Sequence, residues 1–155
     1  MSKLIKIKLK YNIFYKIKQL SKNVQSEVRE ISAFILGQLG TPDKPFKNDS
    51  IPLLLELSKD KDIDVRTAAI YALGHLGCVG EYTDISLIDV LEKAAIDTND
   101  DIRLSAAFLI SSFKFDTVIQ DILMVLKNDL NSDIVEYAEL SEEIYKDALV
   151  DEVNL

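Results

Sequence analysis

Two stretches of the sequence superimpose at an offset of 37 residues. Val28 to Gly40 laid over Val65 to Gly77 agrees at valine, arginine, leucine, glycine, leucine and glycine. Another step of 37 reaches Ile102 to Phe113, and a weaker fourth copy follows 32 residues later at Ile134-Val135-Glu136-Tyr137-Ala138. The chain's three arginines, Arg29, Arg66 and Arg103, all fall in register. A period of this length restricts the fold to an array of small supersecondary units. Each unit is unable to bury its apolar face alone and so stacks on its neighbours.

Each copy reads as two helices. Asp62, Asn99 and Asn131 precede the second helix of their copies, where a short polar side chain accepts from the unpaired N–H groups of the first turn. An acid two residues on (Asp64, Asp101, Asp133, with Glu27 in the first copy) suits the positive end of the helix dipole. Val65, Ala69, Ala72, Leu73 and Leu76 share one helical stripe. Gly37, Gly40, Gly74 and Gly77 read as stop signals, glycine being the residue that turns left-handed past a helix end. The first helices are Ile51 to Leu57, Ile85 to Ala95 and Val118 to Leu126. Tyr11 to Leu20 serves the first copy, with Ile13, Phe14, Ile17 and Leu20 on one side. Thr41 to Ser50, with two of the three prolines, reads as the longest loop, and Lys6 to Lys10 alternates as a short extended arm would. The expectation is one all-α domain over residues 1–155, with units at about 11–40, 51–77, 84–113 and 116–147.

The charge is divided. Residues 1–22 hold seven lysines and no acid, which leaves 11 basic against 26 acidic groups in the other 133 residues, a net of −15. Such a body cannot neutralise phosphates and is a poor nucleic-acid binder; it complements a basic protein. No run reaches the ~18 apolar residues of a membrane span. A lone cysteine, Cys78, and lysines throughout the N-terminal segment fit a cytoplasmic protein without a leader.

Residues 62–77 resemble the signature D-x-x-V-R-x-x-A-x-x-A-L-G-x-L-G of HEAT-like repeats of the phycobilin-lyase type. The resemblance extends over about residues 11–147 and implies an α-solenoid of about four HEAT-like helix pairs, the second helices lining a concave surface. It also implies that Arg29, Arg66 and Arg103 pair with acids of adjoining repeats, for which Asp64 and Asp101, with Glu27 and Asp133, are the periodic candidates. The competing reading is a row of phosphate clamps, as in HEAT-like DNA glycosylases, but those proteins are basic and use tryptophan, which this chain lacks. Family geometry turns a further set to the concave side: Glu30, Phe34 and Gln38; Thr67, Tyr71 and His75; Ser105, Phe108 and Ser112. Phe34, Tyr71 and Phe108 form an aromatic ladder at the period, either a partner-binding surface or rings packed between units.

The residues for catalysis are missing. His75 and Cys78 have no companions to complete a metal set. Asp60, Asp62 and Asp64 mimic the start of a calcium loop, but Val65 and Tyr71 stand where its glycine and glutamate belong. No cofactor and no metal are expected, and the chain reads as a non-enzymatic monomer that binds a protein. A small acidic HEAT-repeat chain is similar to HEAT-type bacterial immunity proteins, and Ser32 to Leu39 resembles HEAT proteins encoded beside toxin genes. That implies a toxin inhibitor acting on a basic toxin domain. The alternative is a scaffold, adaptor or assembly factor, including a phycobilin-lyase-like subunit.

Overall fold

A computed structural model describes residues 3–39 and 43–153, with side chains over 8–39 and 43–148. The described residues form eight α-helices in four pairs: α1 (Lys3–Leu20) with α2 (Ser26–Gln38), α3 (Lys47–Leu57) with α4 (Ile63–Leu76), α5 (Ile85–Ala95) with α6 (Asp100–Leu109), and α7 (Thr117–Lys127) with α8 (Ser132–Val153). Among them there is no strand, and the all-α class of paired solenoid helices is the one expected. The chain divides into two compact units, Met1–Leu76 and Gly77–Leu155.

In the first unit α2 packs along α4, and α3 packs on both. Val65, Ala69, Ala72, Leu73 and Leu76 are all buried, so the α4 stripe faces the core. Burying side chains such as Leu36 and Leu73 contributes roughly 1.5–3 kcal/mol each. Two boundaries differ from expectation. Lys6 to Lys10 is helical, because a single alternating segment has no sheet edge to join while it can extend α1. Lys47 to Ser50 is the first turn of α3, with Pro52 inside the helix, so the loop expected over Thr41 to Ser50 is shorter. Among the described α1 side chains, from Lys8 on, Ile17 is buried and Phe14 half-buried, while Ile13 and Leu20 stay exposed. Phe14 stacks on Phe46 at 4.9 Å between centroids, and Tyr11 meets the same ring edge-on.

The glycines act differently from the expectation. Gly37 and Gly74 lie inside α2 and α4, and neither Gly37, Gly74 nor Gly77 has a left-handed backbone. A Cβ on Gly37 would sit 2.8 Å from the Ala72 Cα, so glycine there permits close approach of α2 and α4. A Cβ on Gly77 would lie 2.5 Å from the Ser112 Oγ. Gly40 is outside the described residues. Among the described glycines, the one that turns left-handed is Gly80, at φ +70°.

In the second unit α6 packs on α5 and α8, and α7 on α8. The α6 chain ends in a short 3-10 turn, Ile110–Ser112, along which the segment from Gly77 runs. The Gly80 N–H donates to the Ser111 carbonyl at 3.0 Å and the Tyr82 N–H to Ser112 at 2.7 Å. Tyr82 is buried, its ring edge-on to Phe113 at 5.5 Å, and burial pushes its phenol well above the ordinary range. The Ser141 hydroxyl donates to the Ala107 carbonyl at 2.7 Å, a buried bond that ties α8 to α6.

Candidate functional site

The turn between the two helices of each pair is built on one device. Asn23, Asp60, Asp97 and Asp129 each accept, through Oδ1, the N–H of the residue two positions on, at 2.9 Å in every case. Asp62, Asn99 and Asn131 then cap the second helix as expected, at 3.1, 3.1 and 2.9 Å. The α2 cap, Gln25, makes no such side-chain bond. Each arginine reaches back six residues to the same carbonyl of its own turn: Arg29 to Asn23, Arg66 to Asp60 and Arg103 to Asp97, at 2.9 Å each.

Two of the three arginines meet acids, and these are not the acids expected; Arg66 donates instead to the Asp60 and Lys61 carbonyls, at 2.9 and 3.2 Å. Arg29 grips both carboxylate oxygens of Asp60 at 2.7 Å. Arg103 grips Asp129 at 2.7 and 3.1 Å, with Asp100 at 2.8 Å as a third acceptor. Asp64 and Asp101, and with them Glu27 and Asp133, accept from no arginine. They lie on the first helical turn, whereas the guanidinium points back to the preceding turn, where the acid of the next copy arrives. Hydrogen bonds from Arg29 and Arg103 hold Asp60 and Asp129 below the usual carboxylate range against the opposing effect of burial. The bond from Asn131, then that from Arg103, does the same for Asp100. These arginines are occupied within the fold, which leaves them unfit as phosphate clamps. The turn acids recur at 37, 37 and 32 residues in the sequence, a signal obscured because the first member is the neutral Asn23.

The residues expected on the binding surface fall into two groups. In the first unit Phe34 of α2 and Tyr71 and His75 of α4 come together, with Ala68 and Ala72, around an indentation of about 230 Å³. Phe34 is 61% exposed, a large apolar ring offered to solvent. Tyr71 is half-buried, as are Glu30, Gln38 and Thr67, and Ile31 beside them is 58% exposed. Lys44, left-handed at φ 42°, donates to the last α4 carbonyl, Leu76, at 3.4 Å. Partial burial, then the charge of Lys44, lowers the His75 pKa. In the second unit Phe108 is half-buried, but Ser105 and Ser112 are buried and cannot touch a partner. The Ser105 hydroxyl is turned to the Ile102 carbonyl at 2.7 Å, and Ser112 sits against Gly77.

Sequence reasoning missed a second concavity, of about 630 Å³, between α7 and α8. Phe115 and Tyr145 stack there at 4.1 Å, and Glu142 is held by Lys127 and Lys146, each at 2.7 Å. Its residues have no counterpart in the other copies, so the period could not reveal it. Among the described residues no group of His, Cys, Asp or Glu is arranged to hold a metal ion, and no helix is long and apolar enough to cross a membrane. Asp60 and Asp62 spend their oxygens on turn and cap bonds, as expected of helix-capping residues.

Comparison with a solved structure supports the fold. The chain is similar to the crystal structure of an engineered protein, with 19% identity and a TM-score of 0.65; the match covers 84% of this chain and 61% of that one. It also matches the Escherichia coli protein YibA at 20% identity and a TM-score of 0.44, over 94% of this chain and 66% of the other. No curated protein sequence matches the chain. The profile of HEAT repeats matches residues 17–111, well over half of the sequence, and the chain belongs to the HEAT-repeat family.

Proposed function

We propose that this is a non-catalytic protein-interaction module of the scaffold or adaptor class, which captures a basic segment of a partner at the Phe34–Tyr71–His75 indentation. HEAT repeats are generally protein-binding arrays, and the observation that carries the reading here is Phe34, 61% exposed at the mouth of an aromatic recess. At about 230 Å³ the recess is smaller than an ordinary small-molecule pocket and suits a single side chain. Phe and Tyr faces attract a lysine or arginine from the partner by cation–π interaction. Glu30, one helical turn before Phe34, adds a carboxylate on the same face. Action against a toxin domain would be one use of such a surface; nothing in the recess is specific to that use.

The reading is tested by placing a photo-crosslinking phenylalanine analogue at Phe34 and, as a control, at exposed Ile96 on another element. A discrete protein adduct from position 34 alone, lost on Glu30→Lys, is the expected result. Equal adducts from both positions, or none from position 34, would remove it.

A further inference from the structure

We infer that the chain self-associates head to tail, α1 of one copy docking on α8 of a second copy. Both helices leave an apolar stripe uncovered. On α1, Leu9, Ile13 and Leu20 are 50%, 39% and 41% exposed and recur at helical spacing with Lys16 between them. On α8, Tyr137, Leu140 and Ile144 are 42%, 47% and 41% exposed at spacings of three and four, which puts them on one side.

Charge selects which face covers which. The α1 sequence holds six lysines and no acid, and the α8 sequence eight acids and one lysine. Lys16 lies within the α1 stripe and Lys10 beside it, and Glu136, Glu143 and Asp147 flank that of α8; all five are exposed. Pairing α1 with α1, or α8 with α8, would press like charges together. Pairing α1 with α8 brings opposite charges around a shared apolar seam. The contact is therefore heterologous, and it departs from the monomer expected from sequence. It uses neither Phe34 nor Tyr71, so it stands or falls apart from the partner-binding reading.

Sedimentation velocity on the full chain, from low to high micromolar concentration and at low and high salt, tests this. The expected result is a mass that grows with concentration and an association about tenfold weaker at high salt. Leu9→Ser with Ile13→Ser, and separately Leu140→Ser with Ile144→Ser, should each be monomeric at low salt. An equimolar mixture of the two double variants should give a one-to-one dimer that grows no further, since one intact α1 meets one intact α8. Circular dichroism confirms that each variant is folded, and the salt series on the unaltered chain tests the idea without any substitution. A chain that stays monomeric throughout, or a variant that self-associates on its own, would overturn the proposal.

Discussion

Asp60 receives four hydrogen bonds: two from Arg29 and one from the Asp62 N–H on its carboxylate, and one from Arg66 on its carbonyl. Asp129 repeats the arrangement toward Arg103 and Asn131. Replacing Asp129 by Asn keeps the turn bond and removes the charge beside a partly buried guanidinium. The expected loss is about 2 kcal/mol in urea unfolding. Asp64→Asn and Asp101→Asn, which touch only the helix dipole, should cost no more than about 0.5 kcal/mol. Equal losses at Asp64 and Asp129 would contradict the assignment of partners. Gly37 allows a similar discrimination. If it merely ended a helix, Asn would replace it better than Ala. Because the Ala72 Cα blocks the space, Gly37→Ala should cost about 2 kcal/mol, and Gly37→Asn more.

At the scale of the element, capping explains why the second helices start where they do. Asn99→Ala removes the bond to the Ile102 N–H and should lower stability by about 1 kcal/mol. Gln25 has the extended backbone of a cap, φ −82° and ψ 128°, without a side-chain bond. Gln25→Asp should therefore stabilise the protein by about 0.5–1 kcal/mol, read as a higher urea midpoint. Starts of this kind were legible in the sequence, since an Asn or Asp before an apolar stripe has a local cause and the stripe on α4 is regular. Ends were less legible. Gly37 and Gly74 carry the same letter as a terminator, and only the distance to Ala72 shows that Gly37 serves helix contact. The candidate surface was legible for Phe34, Tyr71 and His75, whose spacing sets them on adjoining second helices. It failed at Ser105 and Ser112, where equivalence by offset said nothing about burial. The α7–α8 concavity, without periodic counterparts, left no trace to read.

For the whole molecule, acid stability follows from the groups the fold perturbs. Asp60, Asp100, Asp129 and Glu142 have lowered pKa values, so the stability they contribute is present above the ordinary carboxylate range and is lost as pH falls through their depressed values. His75 is a base with a lowered pKa; its contribution is present at neutral pH and is lost as pH falls below the ordinary 6.5. The urea midpoint should show a small step near pH 6, absent in His75→Gln, and a steep fall below about pH 4. A midpoint that rises on acidification would refute the assignment. The arginine contact has a further consequence, because it points one way along the chain. The side chain of one copy takes a carbonyl from its own turn and a carboxylate from the turn that follows, as Arg29 does with Asn23 and Asp60. Asn23 is neutral at the position of the acid, and Val135 stands at that of the arginine. Such a contact behaves like a reading frame. A tandem duplication of one whole period that carries a donor and its acceptor together keeps guanidinium groups such as those of Arg29 and Arg103 beside a carboxylate, and the array lengthens without redesign. A duplication out of phase leaves a partly buried guanidinium without its carboxylate, at a cost in stability.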